Sequence, residues 1–319
     1  MNPLARKIVF PIVSILLFLM LWSAFAASIE TSLGDFPSPK STWSAFVDLK
    51  DEYLGEKQNR KDYEQRMVEK ETTFYEVQER RRIKYEERGR EFTPKTFTAP
   101  PYAGKPTYPE QIFRSLKTVF FGFLIATVIA VPLGIFCGMN EFIRISMNPI
   151  IQILKPVSPL AWLPLVTLVV SAKISQDSSM EKSFVISAVV VALCSLWPTL
   201  INTALGVASV SEDHLNVARV LNVPQRVRIF KIILPSALPY IFTGLRISLG
   251  IGWMVLIAAE MLAQNPGLGK FVWDMFQNGS SQTLGMIMAA VITIGGIGYM
   301  LDRGMQMLEN FFAYEKSKG

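Results

Sequence analysis

Four long stretches without a charged residue constrain the fold of this chain more than any other feature of its sequence. They cover residues 8–27, 119–139, 184–211 and 282–301. A helix rises about 1.5 Å per residue, so roughly 20 apolar residues cross a hydrocarbon core about 30 Å thick. The sequence therefore predicts an all-α polytopic membrane protein.

Two further apolar stretches raise the predicted number of transmembrane helices to six. Residues 149–172 contain Lys155 and several prolines, and residues 238–263 contain Arg246 and Glu260. Prolines at membrane depth release carbonyls that neighbouring helices or a cavity must satisfy. We therefore expect the helix over 149–172 to be irregular and to lie inside the bundle.

The N-terminal segment 1–27 is predicted to be a transmembrane anchor. Arg6 and Lys7 precede its apolar stretch, which places the N-terminus in the cytoplasm. Ala24-Phe25-Ala26 resembles a signal-peptidase site, so a cleaved signal is the alternative. Six spans with a retained anchor put both termini in the cytoplasm, and residues 304–319 form a cytoplasmic tail.

Residues 28–111 form a highly charged insertion on the outer, periplasmic face. Of the 42 residues from Lys50 to Glu91, 24 are charged. Pairs such as Glu56 with Arg60 stand four residues apart, the spacing that supports a solvated helix. We predict one long helix, or a helical hairpin broken near Thr72-Thr73; a solvated or partly disordered insertion is the alternative.

Catalytic, metal-binding and nucleic-acid functions find no support in the sequence. The formal charge of +6 is scattered and interrupted by the spans, so no basic face for nucleic acid is expected. Cys137 and Cys194 lie in apolar stretches without metal-ligand spacing. Residues 267–270 superficially look like a phosphate-binding loop, but the first glycine is missing and Phe271 replaces Ser or Thr. No cofactor is expected, and this chain is not predicted to bind ATP.

Residues 209–236 form a polar segment between two spans. The pattern predicts a helix over 215–220, a turn over 222–224 and a second helix over 225–233 that ends before Pro235. Asn222 tolerates a left-handed backbone conformation, which suits the turn. The number of preceding spans and the excess of basic residues both place this segment in the cytoplasm.

This polar segment resembles the cytoplasmic loop of the membrane subunits of bacterial ABC importers. That loop carries Glu-Ala-Ala, then a glycine, then Ile-x-Leu-Pro; here the sequence has Asn216-Val217-Ala218, then Asn222, then Ile232-Ile233-Leu234-Pro235. The resemblance implies that the loop docks on separate cytoplasmic ATPase subunits, which bind the ATP. The alternative is an ordinary amphipathic loop lying on the bilayer. The residues expected to couple the two proteins are Asp213, Leu215, Asn216, Ala218, Arg219, Leu221, Asn222, Pro224, Leu234 and Pro235.

Further stretches extend the resemblance over roughly residues 113–303. Pro156 to Leu165, Thr243-Gly244-Leu245-Arg246 and Pro266-Gly267-Leu268-Gly269 look like the permease group that serves nitrate, nitrite, cyanate, bicarbonate, taurine and alkanesulfonates. The run Ala161 to Pro164 looks most like the nitrate and bicarbonate branch. The resemblance implies a five-helix permease core over 112–303 in the bacterial inner membrane. It also implies a second permease copy, surrounding lipid, and a periplasmic or lipid-anchored binding protein.

Two charged residues within the span 238–263 are candidates for a substrate path. A charge near the bilayer centre costs ~2.5–3.5 kcal/mol on insertion scales, so such groups usually face water or a partner. Fourteen residues separate Arg246 from Glu260, about 21 Å along a helix, so each is expected near one membrane face. The alternative is that each charge stabilises the fold at the end of the span. The candidate path for a small anion comprises Arg246, Trp253, Glu260, Lys155, Ser158 and Trp162.

These observations predict the non-catalytic permease subunit of an ATP-driven importer for a small inorganic anion, with nitrate or nitrite favoured. Bicarbonate, cyanate and taurine or alkanesulfonates are alternative cargoes. A sensor or scaffold that works through the charged insertion is a third possibility. We also hypothesise that the block from Lys50 to Glu91 contacts the binding protein.

Overall fold

The computed structural model describes residues 3–31, 34–174 and 181–316, and most of them are helical. A two-residue antiparallel ladder pairs Glu30 with Asp35 and Thr31 with Gly34. In chain order the elements are α1 (Pro3–Ala27), β1 (Glu30–Thr31), β2 (Gly34–Asp35), α2 (Pro39–Glu86), α3 (Tyr108–Met139), α4 (Glu141–Leu154), α5 (Pro159–Lys173), α6 (Lys182–Ala208), α7 (Glu212–Val220), α8 (Gln225–Arg228), α9 (Leu234–Ala263), α10 (Leu268–Asn278) and α11 (Ser281–Lys316).

Five helical segments in the described residues are long and apolar enough to cross a membrane, which confirms the predicted all-α, multi-span fold class. They are α1, α3, α6, the combined α8–α9 and α11. The pair α4 and α5 makes a sixth candidate, but the two helices meet at 99°. The irregularity predicted for the span over 149–172 is a break between two helices, because Pro159 begins a new helix and the Ser158 hydroxyl caps it.

Helix α6 is the centre of the bundle, with α3 and α9 packed along it. These helices pack closely against α6 because small residues lie where they cross it. A Cβ atom added to Gly134 would lie 2.6 Å from the Thr203 Cβ, and one added to Gly244 would lie 2.9 Å from the Asn202 Cβ. Such small residues let transmembrane helices gain dispersion contacts along their full length.

The insertion is one continuous helix, α2, followed by an extended segment that runs back along it. The helix passes Thr72-Thr73 without a break, so the helical-hairpin alternative is wrong and the single long helix is confirmed. The Phe97 ring packs on Phe74 with centroids 5.6 Å apart. Nearer the bundle, the Tyr102 hydroxyl donates to Glu56 Oε1 at 2.8 Å, and this bond raises the pKa of Tyr102. Most of α2 is exposed, as its charge content predicts.

The base of α2 is anchored on the end of the bundle. Ala45 and Leu49 of α2 pack against Phe271 of α10 and against Ala289 and Ala290 of α11. The helix α10 was not predicted from the sequence. It begins directly after Gly267, inside the stretch 267–270 that superficially looks like a phosphate-binding loop.

Two predicted helix ends lie elsewhere in the structure. Pro235 does not end the helix over 225–233: the chain continues through a π-helical turn at Ile229–Ile233 into α9, and Pro235 lies in the first turn of α9. Proline is tolerated there because the π-helical turn just before it interrupts the regular i→i−4 hydrogen-bond ladder, so a residue without a backbone N–H can be accommodated. The last helix likewise passes the predicted end at residues 301–303 and continues to Lys316.

Candidate functional site

Arg246 forms a two-pronged ion pair with Asp302, which joins α9 to α11. The Arg246 Nη2 donates to Asp302 Oδ2 at 2.8 Å, and Nε donates to the other carboxylate oxygen. Both side chains remain partly exposed, at 36% and 42%. They line an open cavity of about 530 Å³ together with Gly250, Met254 and Glu309. The Arg246 guanidinium has both a carboxylate partner and access to solvent, and these two features make a charged residue tolerable within α9.

Trp253 is buried in the core and ties α9 to α11. Its Nε1 donates to the carbonyl of Ile294 at 3.0 Å, and its indole packs close to Gly298. The described lining of the Arg246 cavity does not include Trp253. Trp253 therefore lies in the core, away from the cavity that Arg246 lines.

Glu260 is fully buried at the other end of α9, and its carboxylate joins three elements. Both of its oxygens lie 2.9 Å from the Ser115 hydroxyl of α3, and Oε2 also accepts from the backbone N–H of Gly269 at 2.9 Å. The Ser115 oxygen in turn accepts from the N–H of Leu268 at 2.8 Å. Because its carboxylate is enclosed, Glu260 fits the alternative role of stabilising the fold better than the role of lining the substrate path.

Glycines on both sides of Leu268 make room for the Glu260 network. A Cβ atom at Gly267 would collide with the Glu260 carboxylate, and one at Gly269 would collide with the Ile257 carbonyl oxygen. The stretch 266–269, which carried part of the sequence resemblance, therefore packs directly against Glu260.

Replacing Gly269 by alanine is expected to destabilise the protein by ~1–3 kcal/mol, the usual cost of overpacking, because the Ile257 carbonyl belongs to a helix backbone that cannot easily move. Thermal unfolding of the purified protein measures the loss. Gly304→Ala is the matched control, because a Cβ there meets open space and alanine favours the helix. Equal melting temperatures for the two variants would contradict the packing described.

The remaining predicted path residues belong to the bent pair α4–α5. Lys155 and Ser158 are exposed at the bend, and the Ser158 hydroxyl accepts from the Leu160 N–H at 3.3 Å. Trp162 packs against the core cluster that contains Trp253, and its Nε1 has no partner in the described part of the chain. The structure thus brings Trp162 and Trp253 into one cluster and leaves Arg246 and Glu260 at opposite ends of α9.

The α7 helix presents apolar side chains at the end of the bundle where α6 ends and α9 begins. Val220 and Leu221 are 80% and 69% exposed, whereas Ala218 is buried. Asn222 adopts the left-handed conformation, φ +50°, and so closes the turn after α7 as predicted. Arg219 donates to Asn216 Oδ1 at 2.8 Å on the same helix. The side chain of Leu215 lies outside the described residues.

Sequence reasoning missed the partners of both charged residues. Ser115 is a single hydroxyl near the start of an apolar span, and nothing local marks it as a ligand of Glu260. Asp302 directly follows the last uncharged stretch, and nothing in its local sequence marks it as the partner of Arg246. A useful signal was available for Asp302, because a charge inside one span predicts an opposite charge on a neighbouring span.

Residues 130–312 match the family model described as binding-protein-dependent transport system inner membrane component. The match covers more than half of the chain, so the chain belongs to this family of membrane permease subunits.

Two relatives and one solved structure place the chain more closely. It is 38% identical over 208 residues to the nitrate import permease protein NrtB of Synechocystis sp., a match that covers 65% of this chain and 71% of that protein. It is 39% identical over 202 residues to the bicarbonate transport system permease protein CmpB of Synechococcus elongatus, covering 63% and 68%. An inward-facing structure of the MetNI methionine ABC transporter aligns with a TM-score of 0.54 at 14% identity, covering 64% of this chain and 95% of that chain, a likeness of fold alone.

Proposed function

We propose that this chain is the membrane permease subunit of an ATP-driven importer of a small inorganic anion, with nitrate or nitrite as the first candidate. The observation that carries the proposal is the 38% identity to a nitrate import permease over 208 residues. Bicarbonate is the second candidate, because the identity to a bicarbonate permease is 39%. In the proposed assembly a binding protein delivers the anion, a second permease copy completes the path, and separate subunits hydrolyse ATP.

The exposed apolar residues of α7 support docking on an ATPase subunit in the cytoplasm. An apolar patch on a short, rigid helix suits a groove on a partner protein. The helix is tied on one side to α6 and on the other, through α8, to α9. Because α8 continues without a break into α9, a movement of α7 and α8 would tilt α9 as a body. In this arrangement both termini face the cytoplasm.

Replacing Leu221 by aspartate is expected to weaken ATPase docking at least tenfold, since a charge would enter an apolar contact. The permease should still fold, because Leu221 is largely exposed. Co-purification of the ATPase with the permease measures the effect. Val68→Asp is the control, because Val68 is an exposed apolar residue of the distant helix α2. Undiminished co-purification with Leu221→Asp would count against this docking surface.

We also propose that the insertion contacts the binding protein. The insertion can be shortened by replacing residues 57–101, which are the outer part of α2 and most of the extended segment beside it, with a short flexible linker that keeps the anchored base of α2. We expect affinity for the binding protein to fall about tenfold while basal ATP hydrolysis is unchanged, because residues 57–101 lie far from α7. Unaltered affinity would remove this part of the insertion from the docking surface.

The proposed transport is tested by uptake of labelled nitrate into vesicles that hold the permease with its ATPase and binding protein. Uptake that requires ATP and is blocked by excess nitrite, but not by bicarbonate or taurine, is the expected result. Uptake of labelled bicarbonate in place of nitrate would assign the second candidate. An assembled complex that transports neither anion would refute the proposal.

A further inference from the structure

Helix α4 carries a polar strip that belongs neither to the candidate path nor to the Arg246 cavity. The strip consists of Arg144, Asn148 and Gln152, which stand four residues apart and therefore share one face of the helix. All three residues are exposed. A cavity of about 200 Å³ lies between this face and the last turns of α6, where Ala204 and Ala208 form part of its wall.

The remainder of α4 has two apolar faces with different surroundings. Ile151 is buried in a cluster with Trp197 and Leu200 of α6. Ile145 and Ile153 lie on another side of the helix and are 64% and 68% exposed. The buried face anchors α4 on the bundle, and the exposed apolar face suits contact with lipid tails. The polar strip occupies the third side, so it needs surroundings that differ from both.

The polar strip extends from the end of the bundle into the depth of a span. Helix α4 is one half of the bent pair that makes the sixth candidate span. Its Ile151 packs in one cluster with Leu200, which lies about 12 Å before the end of α6. The cavity beside the strip likewise extends from Ala208, the last residue of α6, to Leu200. Gln152 is therefore placed alongside the apolar part of α6 and not at its end.

The amide groups of Asn148 and Gln152 need hydrogen-bond partners at this depth. Neither side chain has one among the residues that the structure describes. Lipid tails offer no hydrogen bonds, so polar side chains within a span usually face a water-filled cavity or polar groups of protein. Both amides line the cavity between α4 and α6, and water there would satisfy them.

We propose that the polar strip lines a water-filled exit through which the transported anion reaches the cytoplasm. Lys155 follows Gln152 by three residues and keeps helical backbone angles, so it continues the same face at the bend between α4 and α5. From Lys155 to Arg144 this face runs about 16 Å along the helix. A cation at each end makes the strip favourable for an anion, although Glu141 lies 3.1 Å from Arg144 and offsets part of its charge. The inference rests on the proposed function for its cargo and for the direction of transport.

Modification of single cysteines by a charged methanethiosulfonate reagent tests whether water reaches the strip. Asn148→Cys and Gln152→Cys are made separately in a full-length permease that carries Cys137→Ala and Cys194→Ala, and each is reconstituted in lipid vesicles with the ATPase and binding protein. The reagent is present on both sides of the membrane. We expect both cysteines to react at least about tenfold faster than Ile153→Cys, because the thiolate that reacts forms in water and not in lipid. Ile153→Cys is the matched control, since Ile153 is an exposed apolar residue next to Gln152.

The sign of the attached charge tests whether the anion passes the strip. At Gln152→Cys, a sulfonate-bearing reagent should lower nitrate uptake at least about fivefold, because a fixed negative charge repels an anion in a narrow passage. A trimethylammonium-bearing reagent of similar size should lower uptake much less. A strip with only a structural role would respond to the size of the adduct and not to its charge. Gln152 is exposed, so the variant should fold, and its uptake before modification checks this.

Three results would overturn the exit. Asn148→Cys and Gln152→Cys as unreactive as Ile153→Cys would place the strip against lipid or protein. Equal, fast reaction of all three cysteines would place α4 in bulk water on the membrane surface. Equal effects of the two reagents on uptake would remove the strip from the route of the anion.

Comparison with unmodified uptake separates this proposal from the previous one. Fast reaction of Asn148→Cys and Gln152→Cys in a complex that takes up no nitrate would support a water-filled exit for another cargo and refute nitrate transport. Normal nitrate uptake with unreactive cysteines would support transport and overturn the exit.

Discussion

Replacing Glu260 by alanine is expected to prevent most of the protein from accumulating in a folded form. The carboxylate is fully enclosed and accepts hydrogen bonds from Ser115 and from the backbone N–H of Gly269. Alanine would leave a cavity and at least one buried donor without an acceptor. Large-to-small changes in cores cost ~2–5 kcal/mol and an unpaired donor a further ~1–3 kcal/mol. The sum approaches the whole stability of many domains, ~5–15 kcal/mol.

The measurement is the yield and melting temperature of the variant after extraction from the membrane. Glu260→Gln should be less severe, because the amide keeps the volume and one acceptor oxygen. Glu141→Ala is the matched control: it removes a carboxylate from a site whose side chain is 75% exposed. A Glu260→Ala protein as stable as the Glu141→Ala protein would show that the network does not hold the fold, and the substrate-path role of Glu260 would then regain support.

Replacing Arg246 by glutamine is expected to lower nitrate uptake by about ten- to hundredfold without loss of assembly. Arg246 lines an open cavity within a span, so its guanidinium can reach a passing anion while one side is held by Asp302. Losing hydrogen bonds to a charged group costs ~1.5–3 kcal/mol, which corresponds to a loss of roughly ten- to hundredfold. Stability should change by only ~0–1 kcal/mol, because the ion pair is partly solvated. Uptake into vesicles and the melting temperature are measured on the same preparation.

Two variants separate a role in transport from a role in the ion pair. Asp302→Asn keeps the positive charge of Arg246 at the cavity, and uptake should remain within a few-fold of normal. The exchange Arg246→Asp with Asp302→Arg keeps an ion pair between α9 and α11 but moves its charges. If the exchange restores uptake, the pair matters for the helix contact, and Arg246 does not act on the anion.

The helix contacts show why the sequence predicted the spans but not the partners of the charged residues within them. Span number and fold class follow from local composition, because each apolar stretch must satisfy its backbone hydrogen bonds internally wherever it meets lipid. Helix ends were less accurate: Pro235 is compatible both with ending a helix and with beginning one, and only the π-helical turn before it decides between them. The left-handed Asn222 was predictable because few residue types tolerate that conformation.

The sequence by itself determined that this protein is an all-α membrane permease with a long charged insertion and an exposed polar helix between two spans. Length, charge and motif spacing are local properties, and they specify these features without reference to neighbours. Only the tertiary structure decided that Glu260 is enclosed by Ser115 and the 267–269 backbone, that Arg246 is paired with Asp302, and that the polar strip of α4 borders a cavity beside α6. Ser115 and Glu260 are 145 residues apart in the chain and Arg246 and Asp302 are 56 apart, and which side chains meet depends on how the helices pack around α6. The role of a charged group in a membrane protein depends on its burial and on its partners, and neither can be predicted from the local sequence.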